Sequence, residues 1–220
     1  MKLILNYAGN HTNIKSEINR QLKNLKNISI PELDRNKADI YFLAKCVSRI
    51  HSYNINQYKL PVYNFQWVIN MITESENCEY ARDIVSALKM MNEMEYYNNI
   101  GLKMKDKKFA SWDIRNSKWR KDYKNGYTGS YVWDIAAIIN YANDSSFSDI
   151  FLESYISYGG KKPALIAIYA NLYYVQVAEA AINKNYEKIL LATKEITDQN
   201  IFKTELISHE TLNRLRILGY

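Results

Sequence analysis

Apolar residues recur at helical spacing through most of this chain, and that periodicity constrains its fold more than any other feature. Ile14, Ile18, Leu22 and Leu25 follow one another at intervals of four, four and three, which puts them on one face of an amphipathic helix. Pro31 stops that helix, and Asp34 is the expected N-cap of a second one carrying Ile40, Leu43, Ala44, Val47 and Ile50. Pro61 opens a third through Phe65, Val68, Ile69 and Ile72. Further helices are expected over 79–97, from Trp133 through Ile139, from a Ser146 or Ser148 cap through Ile156, over 164–182, around 189–196 and over 208–218. A short strand is expected at residues 2–5. Only 7 glycines and 3 prolines in 220 residues leave little room for tight hairpins. The predicted fold class is therefore mainly α. No Ser/Gly linker or charge run divides the sequence, so residues 1–220 are read as one domain.

A hydrophobic fraction of 47% with 24% charged residues is ordinary globular usage and excludes a disordered or fibrous chain. The longest apolar run, 163–182, contains Asn171, Gln176 and Glu179. Those groups are costly in lipid, so the run is read as a buried helix and no membrane role is expected. Residues 1–11 lack a signal-peptide pattern. Cys46 and Cys78 form no CxxC motif and have no nearby histidine, as expected of a reduced, cytoplasmic protein. His11, His51 and His209 are too scattered for a local metal motif.

The helical period fails from about 103 to 130, and an irregular loop with a short strand near 108–111 is expected there. Between Lys103 and Lys124 nine basic residues face three aspartates, an excess equal to the +6 net charge of the whole chain. Such a cluster suits an anion: a phosphate, a nucleic acid or an acidic partner. Asp113 and Asp122 lie among these cations, where ionised carboxylates can hold Mg²⁺ or accept a hydroxyl proton. Asp134, in Trp133-Asp134-Ile135-Ala136, stands at a helix start and is expected to be structural.

The arrangement resembles the C-terminal lobe of aminoglycoside phosphotransferase and choline kinase-like enzymes. In that family a helix ending in a Leu-His-like pair precedes a catalytic loop of the form His-x-Asp-[Leu/Ile]-[His/Arg]-x-x-Asn. A metal-binding Ile-Asp-[Trp/Phe/Tyr] follows, and twelve residues later comes Tyr-Asp-Leu-Ala at a helix start. Here the segment from Leu43 to His51 is similar to the first element and Ser111-Trp112-Asp113-Ile114-Arg115 to the second. Lys121-Asp122-Tyr123 is similar to the third, twelve residues before Asp134. The sequence departs from the pattern at Ser111, where the family has histidine, and at Lys118, where it has the metal-binding asparagine. Asn116 is out of register, and the Asp113–Asp122 interval is about half the usual one. Residues 3–9 resemble the hinge strand between the kinase lobes, which leaves the smaller, ATP-clamping lobe unaccounted for.

The resemblance implies a degenerate phosphotransferase-like, pseudokinase-type binding protein acting with a partner chain or a second copy. It implies Asp113 and Arg115 as catalytic residues if the site is active, Lys118 and Lys121 as nucleotide-phosphate ligands, Asp122 as the metal ligand, and ATP and Mg²⁺ as cofactors. An active small-molecule O-phosphotransferase is the alternative. A helical nucleic-acid-binding protein is a further one, with Trp112, Trp119, Tyr123 and Tyr127 interleaved among the basic residues for base stacking. Trp112, Trp119, Trp133 and Tyr127 are equally suited to anchor a protein interface.

Overall fold

The structure, a computed structural model, describes residues 11–30, 36–55, 60–61, 66–74, 107–116, 118–185 and 187. Three helices come first: α1 (His11–Leu25), α2 (Lys37–Ser52) and α3 (Gln66–Thr73). The predicted apolar faces are the buried ones. Ile18, Leu22 and Leu25 of α1 and Ile40, Leu43, Ala44, Val47 and Ile50 of α2 all enter one core. Burying each large aliphatic side chain contributes about 1.5–3 kcal/mol. The cap of α2 differs from expectation. Asn36, not Asp34, is the N-cap, and its Oδ1 accepts the Ala38 N–H at 3.1 Å. Asparagine is as good a cap as aspartate and sits immediately before the first helical residue. The expected elements at 2–5, 79–97, 189–196 and 208–218, and Cys78, lie outside the described residues.

The short strand expected near 108–111 is present, but the described residues after it, expected to be irregular, form two small antiparallel sheets with it. Strand β1 (Lys107–Ala110) pairs with β4 (Tyr127–Ser130), setting Phe109 opposite Thr128 and Ala110 opposite Tyr127. Between them, β2 (Trp112–Asp113) pairs with β3 (Lys118–Trp119) around a 3-10 turn at Ile114–Asn116. Aromatic burial drives this order. Phe109, Trp112, Trp119 and Tyr123 are all buried. Trp112 meets Trp119 edge-on at 4.9 Å, and Phe109 stacks on Tyr123 at 5.4 Å. Gly126 lies against Phe109 so closely that a Cβ there would come within 2.1 Å of the ring. That approach admits only glycine.

Three helices complete the core: α4 (Tyr131–Ala142), α5 (Ser145–Ser157) and α6 (Leu165–Ile182). Ser130 caps α4, so this helix begins two residues before Trp133. Asp144 caps α5 in place of Ser146 or Ser148, its Oδ1 accepting the Phe147 N–H at 2.8 Å. A carboxylate at this position also meets the positive end of the helix dipole. Gly159, at φ 86°, turns the chain out of α5. Helix α6 packs on α4, and α5 on α2. Two of the three polar groups of the apolar run are bonded within the fold: Asn171 donates to Ala167 O at 2.7 Å, and Glu179 accepts from Asn140 at 3.0 Å. Among the described residues no helix is long and apolar enough to cross a membrane. Cys46 is a buried free thiol, and burial pushes its pKa up to about 11.

Candidate functional site

The site is built outward from Asp134, which is 0% exposed in the first turn of α4. Ser130 already caps this helix, so the Asp134 carboxylate is available to reach away from it. Its Oδ2 accepts the Ser111 N–H at 2.7 Å and its Oδ1 accepts the Trp112 N–H at 3.1 Å. His51, at the end of α2, places Nε2 3.1 Å from Oδ2 and Nδ1 2.9 Å from the Tyr155 hydroxyl. Burial raises the Tyr155 hydroxyl well above the usual phenol range, so it stays protonated and donates. With its proton on Nε2, the imidazole satisfies both contacts in one tautomer. One carboxylate thus ties α2, α4 and α5 to the two backbone amides directly before Asp113.

Asp113 then emerges into an open cavity of about 240 Å³, lined by Asp113, Arg115, Asn116, Arg120, Asn125 and Tyr127. Ile114, fully buried, anchors the 3-10 turn from below. Arg120 is the most constrained of the six. Its Nε donates to Ala110 O at 2.9 Å, its backbone N–H to Ser111 O at 2.9 Å, and its guanidinium lies 4.6 Å from the centre of the Tyr127 ring. Its Nη1 is 3.5 Å from Asp113 Oδ2, which also accepts from Asn116 Nδ2 at 2.8 Å. Trp119 Nε1 donates to Ile28 O and the Tyr123 N–H to Asn19 Oδ1, pinning the hairpin and the following turn to the α1 region.

Two guanidiniums against one carboxylate make this cavity cationic, and planar guanidiniums are well shaped for phosphate or carboxylate oxygens. The donor set does not fit Mg²⁺. That ion needs oxygen ligands in near-octahedral array, whereas the one lining carboxylate is already engaged by Arg120 and Asn116. Asp122 does not line the cavity. Its Oδ1 accepts the Asn125 N–H at 3.0 Å in an Asx turn. Among the described residues no group of three or more His, Cys, Asp or Glu side chains is placed to hold a metal.

Of the residues singled out in the sequence, Asp113 and Arg115 meet in the cavity, and Asp134 supports it from behind. Lys118 is the strand partner of Asp113 but is exposed and outside the lining, as is Lys121. Trp112, Trp119, Tyr123 and Trp133 are core residues at 2%, 6%, 4% and 5% exposure, so none offers a ring face for base stacking or for an interface. Tyr127 is half-buried at the cavity. Sequence reasoning did not select Arg120 and Asn125. Arg120 was one of nine basic residues, and no local pattern separates it from its neighbours: it is buried beside the equally buried Trp119, whereas alternation would group it with the exposed Lys118. Nor did it join His51 to Asp134, because no local pattern links positions so far apart in sequence. Compared with known proteins, the chain matches no family model, no curated protein and no solved structure.

Proposed function

We propose that this protein is a phosphotransferase-like binding protein that holds a phosphate-bearing small molecule in the cavity at Arg115 and Arg120 and acts alongside a partner chain. The observation that carries the reading is Arg120. A buried guanidinium held through Nε, stacked on Tyr127 and turned towards an open cavity is preorganised to meet an anion. The size favours a compact group. Whole small-molecule ligands usually occupy about 300–1,000 Å³, so about 240 Å³ takes a phosphate or diphosphate and leaves any attached group outside. The cavity's own donors are two arginines and two asparagines.

Thermal unfolding with phosphate, pyrophosphate, AMP, ADP and ATP tests this directly. Pyrophosphate at 100 times its Kd is expected to stabilise the protein by about 2.7 kcal/mol, a rise of roughly 5–10 °C in Tm. Arg115 is exposed, so Arg115→Ala is expected to fold normally and lose most of the rise. No shift with any of the five compounds would reject the reading. One observation favours a second reading, phosphoryl transfer to a small-molecule hydroxyl: the backbone before Asp113 is fixed by two buried hydrogen bonds, as positioning of a reacting carboxylate requires. Acceptor-dependent ADP release from ATP, abolished in Asp113→Asn, would establish it.

A further inference from the structure

Proteins that bind phosphorylated ligands commonly neutralise them in one of two ways: with a divalent cation held by carboxylates, or with guanidinium and amide donors alone. The two demand opposite electrostatics. A cation site gathers carboxylates and keeps arginine away, while a direct anion site does the reverse. This cavity has the second character. Its single carboxylate, Asp113, is engaged by Asn116 and Arg120, and the nearby Asp122 is turned into a bond with the Asn125 N–H. Arg115 and Arg120 instead bring two guanidiniums to its lining.

We infer that the site takes the phosphate group of its ligand without a divalent cation, with Arg115 and Arg120 occupying the electrostatic role a metal would otherwise fill. The inference rests on the phosphate-site reading above. It gives Asp113 a defined part: through Oδ2 it orients the Arg120 guanidinium in the empty site and competes with the ligand for it. Asn116 and Asn125 add neutral donors to the lining. A metal ion bound to the incoming phosphate would compete with the two guanidiniums for the same oxygens, so added Mg²⁺ works against binding.

Calorimetric titration of pyrophosphate into the full chain, once in EDTA and once in excess Mg²⁺, separates the possibilities. The expected Kd in EDTA is below that in Mg²⁺. The Asp113→Asn protein gives a second, opposed readout. Removing a like charge from beside the anion is expected to tighten binding about three- to tenfold, whereas removing a metal ligand would abolish it. Binding that appears only with Mg²⁺, or that disappears in Asp113→Asn, overturns the inference while leaving the phosphate-site reading intact. Absence of binding in both buffers overturns that reading, and the inference with it.

Discussion

Replacing Asp134 with alanine is expected to destabilise the protein by about 3–5 kcal/mol, the range seen when one partner of a buried polar constellation is removed. The side chain accepts from three donors, Ser111 N, Trp112 N and His51 Nε2, and is 0% exposed. Alanine leaves all three facing a small cavity. For a chain of 220 residues the loss corresponds to a fall of about 6–20 °C in Tm. Asp134→Asn keeps the shape and one strong acceptor, but turns an NH₂ group towards a donor. It is expected to fall between wild type and alanine, and it keeps the test usable if the alanine variant does not fold. Urea unfolding followed by circular dichroism measures both. A loss below about 1 kcal/mol for alanine would mean that the carboxylate does not hold the loop.

Trp112→Ala is expected to cost a similar amount, about 3–5 kcal/mol, for a different reason. Trp112 is 2% exposed, packed edge-on against Trp119 at 4.9 Å and tilted against Tyr141 at 5.3 Å. Its indole N–H is buried without a hydrogen-bond partner, so the side chain contributes by packing alone. Trp112→Phe therefore is expected to recover most of the stability, at a residual cost of about 1 kcal/mol. Equal losses for Phe and Ala would show that the indole ring does more than fill space. The pair of substitutions also separates two supports of the same segment. Asp134 fixes its backbone, and Trp112 fixes it to the core.

Helices α1 and α2 were legible because each carries its own period. Ile18, Leu22 and Leu25, or Ile40, Leu43, Val47 and Ile50, declare a face without reference to anything distant. Their caps were less legible, because neighbouring polar residues compete. Asn36 displaced the outlying Asp34, and Asp144 displaced Ser146 and Ser148. Of the two sheets, only the strand near 108–111 was legible. Strands of two residues have no period to detect, and β1 finds β4 only across the intervening hairpin. The site divides in the same way. Asp113 and Arg115 were visible as a carboxylate and a cation in one irregular stretch. Lys118, Lys121 and Asp122 were drawn in by charge and proximity, but Lys118 and Lys121 are exposed outside the cavity lining and an Asx turn engages Asp122. Asp122, Tyr123, Lys124 and Asn125 form the kind of short turn whose first side chain commonly bonds its own backbone. The His51–Asp134 contact depends on α2 and α4 meeting in the core, and only the fold brings them together.

In the proposed phosphate site, Arg115, Asn116, Arg120, Asn125 and Tyr127 act as one binding surface around Asp113. Amide and guanidinium NMR spectra of the ¹⁵N-labelled chain, recorded as pyrophosphate is added, test it residue by residue. Saturable shifts are expected, centred on the Arg115 and Arg120 side chains and on the amides of Asn116, Asn125 and Tyr127, with the exposed Lys118 and Lys121 little affected. Shifts confined to the exposed lysines, or spread without saturation, would contradict it.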